Sequence, residues 1–112
     1  MGLDQFAKAR KEGKKEVELA CWRKHPNLQG WMEALYHKKG GEGSFNCEEV
    51  ELTASDIDDL EVAIKGQDLP ETSGFFFGSD ADDYYREMDY EFIFDAKEYI
   101  NAGYTVVYDS WW

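Results

Sequence analysis

Between Glu16 and Lys24 the side chains alternate, with Val17, Leu19 and Cys21 to one side and Glu16, Glu18 and Ala20 to the other. A period of two predicts a half-buried strand, which His25-Pro26 ends. From Asn27 to Lys39 the period lengthens, and Leu28, Trp31, Met32, Leu35 and Tyr36 fall at i, i+3, i+4, i+7 and i+8. That is one stripe of an amphipathic helix. Lys38 and Lys39 suit its negative end, and Gly40-Gly41 supply a left-handed cap. Phe45 to Leu52 reads as a second strand with Val50 and Leu52 inward. Thr53 or Ser55, with Asp56 and Asp58 three residues on, then caps a helix that buries Ile57, Leu60 and Ile64 and closes at Gly66.

Beyond Leu69-Pro70, the run Phe75-Phe76-Phe77 between Gly74 and Gly78 predicts a short strand covered on both faces. Ser79 caps the next helical region, and the pattern from Asp82 to Asn101 fits one helix or two. Its stronger part runs from Tyr90 to Ala102, with Phe92, Ile93, Ala96, Tyr99 and Ile100 on one face and Gly103 as the cap. Tyr104 to Trp112, rich in β-branched and aromatic residues, predicts a closing strand. The first fifteen residues read as an anchored start at Leu3 and Phe6, followed by a polar turn. Strands and helices thus alternate, but the phosphate-binding glycine turn of the doubly wound class is missing. The expected fold is a single α+β domain over residues 1–112, a small mixed, mostly antiparallel sheet of about four strands covered by about three helices.

Composition adds a core to this pattern. A chain of 112 residues that is 43% hydrophobic, with seven Phe, seven Tyr and four Trp, carries enough apolar area to exclude intrinsic disorder despite a net charge of −12. The charge is uneven: residues 1–41 hold nine Lys and Arg against five acids, and residues 42–112 hold three against nineteen. Such a field repels nucleic acid and draws positively charged partners. Cys21 and Cys47 form no CxxC pair, so two buried thiols in a reducing cytoplasm are expected. No apolar run reaches signal-peptide or membrane-spanning length, which leads to the expectation of a cytoplasmic chain without membrane contact.

Four groups of residues bear on chemistry. Asp80, Asp82 and Asp83 resemble the oxygen-rich set that hard divalent cations take, although they lack the register of an EF-hand and equally suit the first turn of a helix. Trp22, Arg23, Lys24, His25 and Trp31 combine aromatic and basic groups as a pocket for a small anionic ligand does; a core tryptophan beside snorkelling lysines is the plainer reading. Cys21 and His25 stand near enough in sequence for a thiolate–imidazole pair, but a buried cysteine beside a surface histidine accounts for them more simply. Glu48, Glu49, Glu51, Asp58 and Glu61 form an acidic stretch suited to a partner surface. GxGxxG, Walker lysine, HExxH and GxSxG motifs are lacking, so neither a cofactor nor a nameable reaction is expected, and enzyme activity is disfavoured. The closing Trp111-Trp112 completes the core or forms a homodimer interface or partner hot spot.

The opening Met1-Gly2-Leu3-Asp4, the Trp22-Arg23-Lys24 run followed by Leu28 and Gly30-Trp31, the Gly74–Gly78 segment, and the closing Tyr108-Asp109-Ser110-Trp111-Trp112 together resemble a group of small bacteriophage-encoded proteins of uncharacterised function. The resemblance spans nearly the whole chain but carries over no catalytic or binding residue. It implies a non-enzymatic interaction protein in the cytoplasm of an infected bacterial host. The expected partner is a host protein, basic or nucleic-acid-binding, met by an acidic surface that mimics nucleic acid. The alternative is binding or sequestration of a nucleotide or metal.

Overall fold

One of the two central strands of the sheet is a strand that hydrophobic patterning does not reveal. In the computed structural model, which describes residues 3–23, 25–43, 45, 48–66 and 81–111 (backbone alone for Pro26 and residues 81–84), Asp4–Arg10 forms strand β1. Its inward positions are Gln5, Ala7 and Ala9, all fully buried, while its larger apolar residue, Phe6, faces outward. The expected anchored start is therefore corrected to a seven-residue strand, and the expected polar turn follows it, where the Lys14 N–H donates to the Lys11 carbonyl at 3.0 Å. The alternation is present, but small and polar residues hold the buried side.

Six further elements follow: β2 (Val17–Arg23), α1 (Pro26–Lys38), β3 (Val50–Leu52), α2 (Ala54–Lys65), α3 (Ala81–Asn101) and β4 (Thr105–Trp111). The strands lie in the order β2-β1-β4-β3 and every pairing is antiparallel. The fold is a small α+β domain of four strands and three helices, as expected, without a parallel pair among the described residues. Phe75-Phe76-Phe77 lies outside the described residues. The second strand is shorter than the pattern predicts, because Phe45 is buried beside the sheet rather than paired within it. A single helix of 21 residues fills the region that the pattern left as one or two.

One residue of β2 changes which side chains face the core. Ala9 pairs with Val17 and Lys8 with Glu18, but Ala7 pairs with Ala20, so Leu19 is an extra residue in the ladder. A bulge of this kind flips every later side chain. Trp22 consequently points inward, opposite Gln5, while Cys21 lies opposite Phe6 on the outer face and is exposed. Cys21 was expected to be buried; strict alternation from Val17 would have put it there.

The helices cover the inner face alone. Trp22 is the largest fully buried side chain among the described residues, its ring edge-on to Phe92 of α3 at 5.2 Å and tilted against Tyr108 of β4 at 6.1 Å. Leu28, Met32 and Leu35 of α1, and Ile57, Leu60 and Ile64 of α2, join the same cluster. Local chemistry sets the helix ends. The Thr53 hydroxyl accepts the Asp56 N–H at 3.2 Å while the Asp56 carboxylate accepts the Thr53 N–H at 2.9 Å, a complete capping box. At the end of α3, Gly103 (φ 90°) donates to Ile100 and Tyr104 donates to Tyr99, and the rings of Tyr99 and Tyr104 meet edge-on at 4.9 Å. This is a left-handed cap with its accompanying apolar contact.

Candidate functional site

Inside the fold, six polar side chains are joined at the point where β2 turns into α1. The Gln5 carboxamide accepts the His25 backbone N–H at 2.8 Å and donates to the His25 carbonyl at 3.0 Å and to the Tyr108 hydroxyl at 2.9 Å. The Tyr108 hydroxyl in turn donates to Gln29 Oε1 at 2.7 Å, and burial pushes its phenol far above the ordinary range. On the other side, Asp89 of α3 accepts the Trp22 indole N–H at 2.8 Å and meets His25 Nε2 at 3.0 Å. Tyr85 stacks on the His25 ring at 5.1 Å, and its hydroxyl brackets the Arg23 backbone, accepting the N–H at 3.0 Å and donating to the carbonyl.

A histidine bonded to an aspartate has the form of a general base. The two side chains are however only 0% and 2% exposed, so this pair meets no substrate in the folded state and serves to tie α3 to β2. The expected surface histidine at position 25 is corrected accordingly. Of the grouping Trp22, Arg23, Lys24, His25 and Trp31, the fold joins Trp22 and His25 through Asp89. Arg23 points to the opposite face of the sheet, 3.6 Å from Asp4, and Trp31 sits half-buried on α1 against the core. Lys24 lies outside the described residues. So does Asp80; Asp82 and Asp83 stand in the first turn of α3, with side chains outside the description. Among the described residues no group of three or more His, Cys, Asp or Glu is placed to hold a metal.

The acidic stretch is partly neutralised by cations from other elements. Arg10 of β1 forks onto Glu49, donating to Oε1 at 2.7 Å, and also reaches Glu16; its bond holds the Glu49 carboxyl below its ordinary range. Lys97 of α3 lies 2.7 Å from Glu61 and 3.5 Å from Asp58, and Lys65 lies 3.3 Å from Glu61. The Lys97 and Lys65 hydrogen bonds depress the Glu61 carboxyl. Glu48 and Glu51 are exposed. The division of charge along the chain is thus reduced in space, since Arg10 and Lys39 from the basic part close on Glu49 and Asp56.

A different acidic surface lies on α3. Glu87, Tyr90, Glu91, Phe94 and Asp95 of α3 line a shallow hollow of about 520 Å³, and none of the five is a cation. Phe94, one of the five, is 64% exposed. Sequence reasoning missed this site, although a signal existed: Phe94 falls off the buried stripe of Phe92, Ile93 and Ala96, while Glu87 and Glu91 recur at i and i+4 on its own side. No protein-family model matches this chain, and comparison with curated proteins and with solved structures returned no match.

Proposed function

We propose that this chain is a non-enzymatic interaction protein that binds and blocks a basic protein through the acidic, aromatic-bearing face of α3. The observation that carries this reading is the exposure of Phe94, 64%, among Glu87, Glu91 and Asp95 with no cation lining the hollow. An aromatic side chain left in water costs solvation that a partner's pocket recovers, and surrounding carboxylates select a partner rich in Lys and Arg. Nucleic-acid-binding proteins present such surfaces, and there carboxylates occupy positions that phosphates otherwise take. On the resemblance to phage-encoded proteins, the partner is a protein of the infected host. Glu48 and Glu51 are exposed carboxylates as well, whereas Glu49, Asp58 and Glu61 spend part of their charge on Arg10, Lys65 and Lys97.

Capture of partners from host lysate by tagged protein, at low and at moderate salt, tests the reading. Phe94→Ser is expected to weaken a captured basic protein at least ~10-fold. The pair Glu87→Gln with Glu91→Gln is expected to lower both affinity and its salt dependence. Neutralising Glu48, Glu49, Glu51, Asp58 and Glu61 together is expected to have the smaller effect. Capture that ignores salt and survives Phe94→Ser overturns the proposal.

A further inference from the structure

The outer face of the sheet, which no described helix covers, carries a second hollow of about 330 Å³, lined by Phe6, Lys8, Glu16, Glu18, Asp109 and Trp111. That volume is at the small end of ligand sites. Antiparallel register assembles it: Phe6 of β1 stands opposite Asp109 of β4, Asp4 opposite Trp111, and Lys8 opposite Glu18 of β2. The Phe6 and Trp111 rings meet at 6.3 Å and 65°, forming an aromatic corner, and Trp111 remains 56% exposed. Three carboxylates share the hollow with one ammonium. That ammonium already lies over the Phe6 ring at 5.8 Å, the place a cation takes on an aromatic face.

Asp109 is the unusual member. Its side chain is only 14% exposed, and Oδ1 accepts no hydrogen bond among the described residues, since Lys8 Nζ stays 4.0 Å away. Burial raises the Asp109 carboxyl above its ordinary value. A carboxylate kept dry and short of a donor, beside an indole face open to solvent, matches a ligand that is planar, cationic and rich in N–H groups.

We propose that this hollow binds a guanidinium group, stacked on Trp111 and hydrogen-bonded to Asp109 and Glu18, with Lys8 as the internal cation that it displaces. The proposal is independent of the α3 face, which lies on a different element.

The test is an NMR titration of the folded protein with methylguanidinium to about 10 mM, an order above the ~1 mM Kd suited to a ligand of this size, against equal concentrations of sodium chloride. A saturable shift of the Trp111 indole N–H that salt does not reproduce is expected. Asp109→Asn should raise Kd about 10-fold, and Trp111→Ala, read from the backbone amides of Lys8 and Asp109 because the indole reporter is gone, should abolish saturation, since each removes one of the three contacts. Lys8→Met should lower Kd about 3-fold by removing the competing cation. Phe94→Ser should leave the titration unchanged. An arginine-containing peptide run in parallel separates a side chain of a partner from a free small ligand: tighter binding of the peptide assigns the site to the former, equal binding to the latter. No saturable shift in the wild-type protein, or equal Kd in the folded Asp109→Asn and wild-type proteins, overturns the proposal.

Discussion

Asp89 shows how one carboxylate can hold two elements together. It accepts from Trp22 and meets His25 while 2% exposed, so its removal leaves a buried indole N–H and a buried imidazole without their shared partner. Asp89→Ala is expected to destabilise the fold by about 3 kcal/mol, and Asp89→Asn by less because an acceptor oxygen remains, as read by urea denaturation. Asp109 poses the opposite case. Its raised carboxyl means that the folded chain holds this proton more tightly than the unfolded chain does, so the charged form costs stability at neutral pH and the cost fades as pH falls through the raised value. Asp109→Asn is therefore expected to raise Tm at pH 7 and to lose that advantage below about pH 3.8, the ordinary aspartate value.

Among the elements, helix ends and the β2 bulge determine what each secondary structure can present. Gly103 takes φ 90°, and a Cβ there would come no closer than 3.5 Å to Lys11, so Gly103→Ala meets no clash. The cost is conformational, about 1 kcal/mol, and is expected to appear as a lower urea midpoint with an unchanged slope. Gly41 differs in kind: a Cβ there would stand 2.5 Å from the Tyr36 ring, so Gly41→Ala must displace that ring from Phe45, 4.8 Å away. Thr53→Ala removes one half of the α2 capping box and is expected to cost about 1 kcal/mol in the same experiment. These signals were legible in sequence because a cap or a left-handed glycine involves residues only a few positions apart. The Leu19 bulge was not legible, since an extra residue shows itself only against a partner strand.

For the molecule as a whole, charge is arranged by contacts between distant segments. Glu49 and Asp56 have depressed carboxyls: the Arg10 bond lowers Glu49, and at Asp56 the upward push of burial is outweighed by hydrogen bonds from Lys39 and Thr53. A depressed carboxyl contributes stability above its unfolded value and loses it as pH falls through the folded one. Thermal unfolding followed from pH 7 to pH 2 should accordingly show Tm falling below about pH 4.5, the ordinary glutamate value. Arg10→Gln should flatten part of that fall, while its effect at neutral pH stays within about 1 kcal/mol because the pair is exposed.

The sequence by itself determined the α+β class, the bounds of α1 and α2, the buried stripes of all three helices and the strand character of β4. Periodicity and capping act over single turns and need no distant partner. Tertiary structure alone decided that β1 is central despite its Gln5 and alanines, that Trp22 turns inward while Cys21 turns out, and that His25 is sealed against Asp89. It also decided which acids are paired and which aromatic residues, Phe94 and Trp111, remain in solvent. Each of these depends on which strand or helix lies opposite, a long-range pairing that hydrophobic patterning along one segment does not encode.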